Sequence, residues 1–457
     1  MIVVLVSYMD IKTKILHFKD IAKKVAIPIL KEQGKIRVIS HYDADGICAG
    51  AIMYKTLKYL GKNFEISFVS QIEEDILKNI DLNAQDLIIF TDLGSGQLDL
   101  IEKYLSKTKV VVVDHHQPVF RQWYGLYHLN PHLVDLNGRV DISGAGVAYI
   151  LARELSLRTK NLVELAIVGA VGDRQKKNDV FFGVNKMFLD EAEYSGIIKK
   201  EIGLRFFGRY TRPIHKCLEY SLDPFIEGIS GNESASVQFL SDLGIPIRNS
   251  KGSWRKLCDL TKNEEKKLTT ALVMESLVRG DDSIKFIGPL YKLSNDYDVS
   301  EFATLLNACG RLEQPIEGVK LCLGDRKSAD DIQMKYRKRF AKYMSWISKN
   351  QKSFKVTDKA TYIISGVHIN FNFLGPLISI ALKKNVKTGI VLGFSNTPNG
   401  VKISSRSRDS VDTNLSNAIR VASAKVGGTG GGHSGAAGGK IPMGSEEKFI
   451  SIVDSLL

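Results

Sequence analysis

The feature that most constrains this chain is a series of short apolar runs, each followed by acidic residues or histidine. KIRVIS (35–40), DLIIFTDLG (86–94) and TKVVVVDHH (108–116) contain apolar segments of strand length, and stretches with helical spacing lie between them. EISFVS (65–70) has the pattern of a further strand. Strands that alternate with helices predict βαβ units and a buried parallel sheet, so we expect an α/β domain.

Carboxylate and imidazole side chains stand where these predicted strands end. Seven of them follow the strand-like runs: His41, Asp43, Asp45, Asp92, Asp114, His115 and His116. The carboxyl ends of parallel strands meet at one edge of a sheet, where ligands bind in open α/β folds. Asp173, at the end of the apolar helical run ELAIVGAVGD, is a further candidate. We therefore expect residues far apart in the chain to converge.

This set of side chains predicts a metal site. Imidazole and carboxylate together favour Mn²⁺, Zn²⁺ or Fe²⁺ over Ca²⁺, which prefers oxygen alone. The set offers more ligands than one ion needs and suits two ions that share a carboxylate, an arrangement used in phosphoester hydrolysis. An Asp after a strand is more often a turn or a helix cap. The prediction therefore depends on HYDADG (41–46) and DHH (114–116) together, more than on Asp92 or Asp173 alone.

The remainder of the chain predicts an insert and a second α/β region. Residues 144–173 have the pattern of two helices, and residues 325–352 that of one long basic helix. Strand-like runs return at residue 361, before the densest glycine cluster of the chain, VGGTGGGHSGAAGGK (426–440), which we expect to form a loop. The predicted domains are an α/β domain (1–200), a mainly helical insert with a connecting helix (201–355) and a smaller α/β domain (356–457).

Composition narrows the class of partner. The 457 residues include 63 Lys and Arg against 50 Asp and Glu, a formal net charge of +13, which favours nucleic acid or phosphorylated substrates. Five scattered cysteines without a CxxC pair argue against a zinc ribbon or a disulfide framework and fit a reducing cytoplasm. The opening run MIVVLVSYMD is too short for a signal or spanning segment, so we expect a cytoplasmic protein without a membrane partner.

The motifs, in their order, resemble those of the DHH phosphoesterase superfamily. Four stretches match its catalytic motifs and two match its associated C-terminal domain: HYDADG (41–46), TDLG (91–94), DHH (114–116), VGD (171–173), ISSRSR (403–408) and GGTGGGHSGAAGG (427–439). The stretch 301–325 and the long insert are similar to the RecJ-type single-strand exonucleases in their archaeal form. The resemblance implies a parallel-sheet DHH domain, a helical insert and a smaller α/β DHH-associated domain across a cleft.

The resemblance also implies roles for individual residues. Two Mn²⁺ ions, with Mg²⁺ as an alternative, would be bound by six residues: His41, Asp43, Asp45, Asp92, His115 and Asp173. Asp92 would bridge the ions, and His116 would contact the scissile phosphate, so these two are the expected catalytic residues. Five residues of the C-terminal domain would bind nucleotide phosphates: Ser404, Arg406, Gly431, Gly432 and His433. A guanidinium can grip a phosphate through two hydrogen bonds, and glycines allow backbone N–H groups to approach it.

The expected function is that of a metal-dependent exonuclease acting at an end of single-stranded DNA or RNA, in DNA repair, replication or RNA turnover. One alternative is a replisome component that binds the GINS complex and single-stranded DNA. Another is a phosphodiesterase for short oligonucleotides. The complete set of candidate ligands favours an enzyme over the metal-free helicase subunits of the same superfamily.

Overall fold

The fold is described here from a computed structural model of the chain. The described residues are 2–80, 86–177, 180–221, 226–278, 286–384, 388–408, 411 and 413–457. They form two compact units, Met1–Ala329 and Asp330–Leu457. Within the described ranges, no helix combines the length and the apolar character that crossing a membrane requires.

The first unit is built around a five-stranded sheet. Its strands are β1 (Lys35–His41), β2 (Asn63–Val69), β3 (Leu87–Thr91), β4 (Lys109–Val113) and β5 (Leu126–Leu129). The spatial order is β2-β1-β3-β4-β5, and every neighbouring pair is parallel. All residues of β3 are buried, as expected for a central strand covered on both faces. The predicted parallel sheet is confirmed; β5, a short edge strand, was not predicted.

Helices cover both faces of this sheet. The first helices are α1 (Ile2–Lys31), α2 (Ala44–Tyr59), α3 (Glu74–Lys78), α4 (Leu98–Leu105), α5 (Gly144–Leu155) and α6 (Val163–Gly172). α3 and α4 pack on the face that carries Ile39, Phe90 and Val112. α2 contacts both α5 and α6 on the other face. The two helices predicted between residues 144 and 173 are thus confirmed as α5 and α6.

The segment after α6 is mainly helical, with two small β-pairs. Its elements are β6 (Lys176–Lys177), β7 (Val180–Phe181), α7 (Gly183–Tyr194), β8 (Lys199–Leu204), α8 (Ile214–Glu219), α9 (Glu233–Asp242), α10 (Lys262–Val278), β9 (Ile287–Lys292), α11 (Val299–Arg311) and α12 (Pro315–Cys322). β8 and β9 pair antiparallel, and α8, α9 and α10 lie between them in the sequence. These three helices share a core that includes Leu218, Leu240 and Leu268. The sequence did not predict β8 or β9, and the domain boundaries at 200 and 355 stay predictions.

The second unit is a helix followed by a mixed sheet with further helices. Its elements are α13 (Ala329–Lys349), β10 (Lys355–Val356), β11 (Thr361–Ile364), α14 (Leu374–Lys384), β12 (Ile390–Thr397), β13 (Gly400–Ser407), α15 (Leu415–Lys425), β14 (Thr429–His433), β15 (Ala436–Ile441) and α16 (Glu446–Leu456). The sheet order is β10-β11-β12-β13-β15-β14. α15 and α16 pack on the face that carries Tyr362, Phe394 and Ile403. The long basic helix is confirmed as α13.

The glycine cluster is a β-hairpin, and the prediction of a loop was wrong. β14 and β15 pair antiparallel, and β15 also pairs with β13. Glycine has a low intrinsic preference for strands, but tertiary packing overrides it here. A Cβ atom at Gly430 would lie 2.7 Å from Ser423 Oγ of α15, so the bare backbone lets that helix pack directly on the hairpin.

Candidate metal centre

The six predicted ligands converge at the carboxyl edge of the parallel sheet. They come from three strand ends and two helix ends: His41, Asp43, Asp45, Asp92, His115 and Asp173. They form two groups, in each of which the ligand atoms lie within 4.8 Å of one another. The groups are His41–Asp43–Asp92 and Asp45–His115–Asp173.

Asp92 belongs to the first group and also contacts the second, with one carboxylate oxygen directed to each. Its Oδ2 atom is 3.5 Å from His41 Nδ1, which also lies 3.1 Å from Asp43 Oδ1. Its Oδ1 atom is 3.2 Å from His115 Nε2, and the same nitrogen is 3.7 Å from Asp173 Oδ2. A carboxylate placed in this way has the geometry that a ligand shared between two ions requires.

The backbone at the end of β3 holds Asp92 in an unusual conformation. Its φ of 58° lies in the left-handed region, which Asp tolerates better than most residues, and its N–H donates to Val113 O at 2.9 Å. The side chain is only 2% exposed. A Cβ atom at Gly144 would lie 2.3 Å from Asp92 Oδ1, so only glycine leaves room for the carboxylate there.

The amino terminus of α5 holds Asp45. The backbone N–H of Gly144 donates to Asp45 Oδ2 at 2.7 Å, and that of Ala145 donates to Oδ1 at 2.9 Å. Unpaired N–H groups and the helix dipole stabilise a carboxylate at such a position. Gly144 was not among the site residues predicted from the sequence. A glycine at the start of a helix that follows the sheet was the available signal.

Three buried polar atoms of the cluster have no hydrogen-bond partner. They are His41 Nδ1, Asp92 Oδ1 and His115 Nε2. The carboxylate oxygens nearest to the two nitrogens are 3.1 and 3.2 Å away but do not form hydrogen bonds with them. Buried polar groups normally have a partner, because an unsatisfied one is unfavourable. Coordination to a divalent cation would satisfy all three atoms, so the residues present fit a metal.

The electrostatics of the cluster also favour bound cations. Burial raises the pKa of Asp45 well above its usual value, and the neighbouring Asp92 carboxylate raises it further. Burial and Asp92 likewise raise the pKa of Asp173. Burial alone would lower the pKa of His115, but the surrounding carboxylates raise it well above its ordinary value. Carboxylates packed this closely repel one another unless positive charge lies between them.

Gln175 helps to orient His115 and Asp173, and it was not predicted as a site residue. His115 Nδ1 lies 2.5 Å from Gly138 O, which leaves Nε2 facing the carboxylates. Gln175 Nε2 donates to the same carbonyl at 2.8 Å and to Asp173 Oδ2 at 3.0 Å. Its position two residues after Asp173 was the signal that could have identified it.

His116 differs from the six because its side chain is 55% exposed. Its Nδ1 lies 2.8 Å from Oδ1 of the buried Asp114, whose carboxylate also accepts the N–H groups of Ser95 and His115. The Asp114 charge raises the pKa of His116 to about 9 against the effect of burial. Ligand atoms of Asp114 and His116 also lie within 4.8 Å of a ligand atom of Asp92. The Asp114 carboxylate is already occupied by its contacts with Ser95, His115 and His116, so its role is to position His116.

The five predicted substrate-binding residues all lie in the second unit. Ser404 and Arg406 are on β13, and their side chains are linked by a 3.3 Å contact between Arg406 Nη1 and Ser404 Oγ. Across the sheet, Arg406 pairs with Ala436, which pairs with His433. Gly438 of β15 pairs with Ser404 on one side and with Gly431 on the other. Gly432 pairs with Ala437, the residue before Gly438. The motif residues are thus neighbours in the sheet, although the chain separates them.

Sequence models of three domains match successive parts of the chain. The "DHH family, N-terminal domain" model matches residues 35–170, the "DHH-CID domain" model residues 206–286 and the "DHHA1 domain" model residues 359–457. The first match includes the parallel sheet and every candidate ligand except Asp173. The second lies within the segment that β8 and β9 enclose, and the third covers most of the second unit.

Two relatives in sequence differ in how much they share with this chain. An uncharacterised protein of Methanocaldococcus jannaschii is 28% identical over 460 residues, covering 97% of this chain and 98% of that protein. The single-stranded-DNA-specific exonuclease RecJ of Thermus thermophilus is 30% identical over 202 residues, covering 42% of this chain and 29% of that protein. The sequence match thus covers less than a third of this RecJ.

Two solved structures share the fold. RecJ of Thermus thermophilus in complex with Mn²⁺ superposes with a TM-score of 0.60 and 18% identity, covering 96% of this chain and 54% of that chain. CDC45 from Entamoeba histolytica superposes with a TM-score of 0.64 and 12% identity, covering 98% of each chain. The predicted α/β architecture with its C-terminal domain is thereby confirmed.

Proposed function

The chain is a RecJ-like member of the DHH superfamily, and we propose that it is a metal-dependent exonuclease that hydrolyses phosphodiester bonds at an end of single-stranded DNA or RNA. The observation that carries the proposal is the position of Asp92, with one carboxylate oxygen toward His41 and the other toward His115. Two Mn²⁺ ions, with Mg²⁺ as an alternative, would be held by the six clustered residues and would supply activation of water and neutralisation of phosphate charge.

In this proposal His116 acts on the substrate. Its side chain is 55% exposed beside the metal ligands, and the Asp114 carboxylate raises its pKa, which favours the protonated, donating form. A cation placed on the scissile phosphate stabilises the charge that develops there in the transition state. Asp114 fixes the orientation of the ring through the 2.8 Å contact with Nδ1 and is therefore a positioning residue.

The second unit would bind the nucleotide strand. Arg406 and His433 both pair with Ala436, so they lie in line across the sheet and on the same face. Ser404 is two residues before Arg406 on β13 and therefore lies on that face too, which brings cationic and hydroxyl groups together. The net charge of +13 favours a polyanionic substrate. The printed name of the Thermus relative, a single-stranded-DNA-specific exonuclease, supports a single strand as that substrate. A role in DNA repair or replication and a cytoplasmic location belong to the same proposal.

A second candidate function is that of a replisome component that binds single-stranded DNA and the GINS complex. The fold shared with CDC45 along the whole chain favours this candidate. The buried, unpartnered ligand atoms favour the enzyme, because a purely structural subunit has no need for such unsatisfied groups.

Three substrates separate these functions. Purified protein with Mn²⁺ is given long single strands, blunt duplexes of the same sequence, and di- to tetranucleotides. The exonuclease proposal predicts stepwise shortening of the single strands and much slower attack on the duplex. Binding of long strands without hydrolysis would support the replisome component, and hydrolysis of the short substrates alone would support a phosphodiesterase for small oligonucleotides.

A further inference from the structure

An aromatic side chain with little protein around it lies in the loop that follows the DHH motif. The loop joins the end of β4 to the start of β5, so it runs from the carboxyl edge of the sheet to the opposite edge. Phe120, in the middle of this loop, is 74% exposed. Single exposed apolar side chains are common on protein surfaces, so the location of this ring, rather than its exposure, indicates what it could contact.

The loop is anchored beside His116 immediately before Phe120. Val119 N donates to Ser95 O at 2.8 Å, and Ser95 N donates to Asp114 Oδ2 at 2.9 Å. The buried Asn130 side chain joins the same group, since its Nδ2 donates to Ser95 Oγ at 2.9 Å and to His116 O at 2.8 Å. Phe120 is four residues from His116, so their Cα atoms are at most about 14 Å apart.

The residue after Phe120 holds the loop on α4. The Arg121 guanidinium pairs with Asp99 and lies 3.7 Å from Glu102, and its Nη1 donates to Phe120 O at 3.2 Å. Arg121 is thus paired with carboxylates of α4. The position of the Phe120 backbone is therefore determined from both sides, whereas its ring remains in solvent.

We propose that Phe120 is a stacking platform for a nucleobase of the strand whose scissile phosphate lies at His116. The inference rests on the proposed function and extends it by a binding residue. A planar apolar face whose Cα atom lies within about 14 Å of that of His116 suits any base, because every base has a π-face, and such stacking does not depend on sequence. A protein partner fits less well, because an interface buries a patch of large apolar residues rather than one ring.

The same loop supplies a matched control. Tyr124 is a second exposed aromatic residue, but it lies just before β5, at the edge of the sheet opposite the metal ligands. Tyr124→Ala therefore removes an exposed ring from this loop without changing the surface next to His116. Phe120→Trp keeps an aromatic face in place, whereas Phe120→Leu keeps only apolar volume.

The test uses single strands that carry one abasic position at successive distances from the cut end. We expect the wild-type KM to rise about fivefold or more when the abasic position coincides with the stacked base, since stacking contributes at least about that factor. Phe120→Ala should show a similar rise on the intact strand and no further rise at that position. Phe120→Trp should restore the wild-type pattern, Phe120→Leu should not, and Tyr124→Ala should match wild type.

A second readout does not require hydrolysis. Because the wild type already contains Trp123, Trp254 and Trp346, the signal is the difference between the two proteins. Intact strands should quench Phe120→Trp more than they quench the wild type, and strands abasic at the critical position should quench this additional fluorescence less. If Phe120→Ala has the same KM as wild type on every strand, intact or abasic, the inference is overturned. A protein partner would then be the remaining candidate for contact with the ring. Wild-type protein that binds strands without cutting them would overturn the proposed function alone, because the quenching experiment still tests Phe120. Wild-type protein that binds no strand would overturn both.

Discussion

His116 Nδ1 lies 2.8 Å from Oδ1 of Asp114, a carboxylate that is completely buried, while the His116 side chain itself is 55% exposed. Asp114 thus holds the His116 ring from the interior, while the exposed part of the ring can contact a substrate. Asp114 is further held by the backbone N–H groups of Ser95 and His115. The contrast with the buried His115, one residue earlier, separates the two histidines of the DHH motif into a candidate ligand and a candidate substrate contact.

The first prediction concerns this pair. His116→Ala should lower kcat by about 100-fold to 1,000-fold, the range for loss of a group that stabilises developing charge, with a smaller change in KM. Asp114→Asn should change kcat in the same direction, because the neutral amide no longer holds the imidazolium. Single-turnover rates and dissociation constants on a single strand would measure both effects. Normal turnover combined with weak binding in His116→Ala would contradict the role given to this residue.

The second prediction concerns the glycine that makes room for Asp92. Gly144→Ala should weaken Mn²⁺ binding, since its Cβ atom would lie 2.3 Å from Asp92 Oδ1, even though alanine favours the helix itself. Gly96→Ala is a suitable control, because its Cβ atom would meet only an ordinary contact at 3.7 Å. Titration of metal-free protein with Mn²⁺ measures the difference. Equal affinities in both variants would contradict the described packing.

The third prediction concerns pH. Burial lowers the pKa of His128, whose Nε2 lies 2.8 Å from Ser95 Oγ, to about 4. Because this folded-state pKa is below the unfolded value of about 6.5, the contribution of His128 to stability is complete above pH 6.5 and is lost as the pH falls toward 4. Urea unfolding between pH 7 and pH 4 should therefore show a smaller acid loss in His128→Asn than in wild type. Parallel curves for the two proteins would exclude this linkage.

The fourth prediction concerns the second unit. Arg406→Ala and His433→Ala should raise KM about tenfold or more, because charged hydrogen bonds to the phosphates are lost, and should leave Mn²⁺ affinity unchanged. Arg420→Ala, on the exposed part of α15, should behave as wild type. Loss of bound metal in either of the first two variants would show that the assignment of separate roles to the two units is wrong.

The sequence predicted the parts of the fold whose signal is local. Apolar runs of strand length identified the central strands β3 and β4, and the residues directly after them identified the edge where the candidate ligands meet. β5 was missed because LYHL is short and mixes polar with apolar residues at an edge. The β14–β15 hairpin was missed because its strands are stabilised by β13 and α15 rather than by their own glycine-rich sequence.

The sequence did not identify the residues that hold the candidate ligands in place. Gln175 stands two residues after Asp173, but its hydrogen bond to Gly138 O, like that of Asn130 to His116 O, joins segments that are separated in the sequence. The same holds for the N–H groups of Gly144 and Ala145 that hold Asp45, which is about one hundred positions earlier in the chain. These contacts arise only when the sheet brings its connecting segments together.

The proposed metal-dependent exonuclease is tested most directly by the release of nucleotides from an end-labelled single strand by wild type and Asp92→Ala, each with Mn²⁺ and with excess chelator. Asp92 is the residue that directs one oxygen to each group of ligands, so its loss should affect both. Circular dichroism should first verify that Asp92→Ala is folded. We predict progressive release by wild type with Mn²⁺, and no release with chelator or by Asp92→Ala. Full activity of Asp92→Ala, or undiminished activity of wild type in chelator, would contradict the proposal.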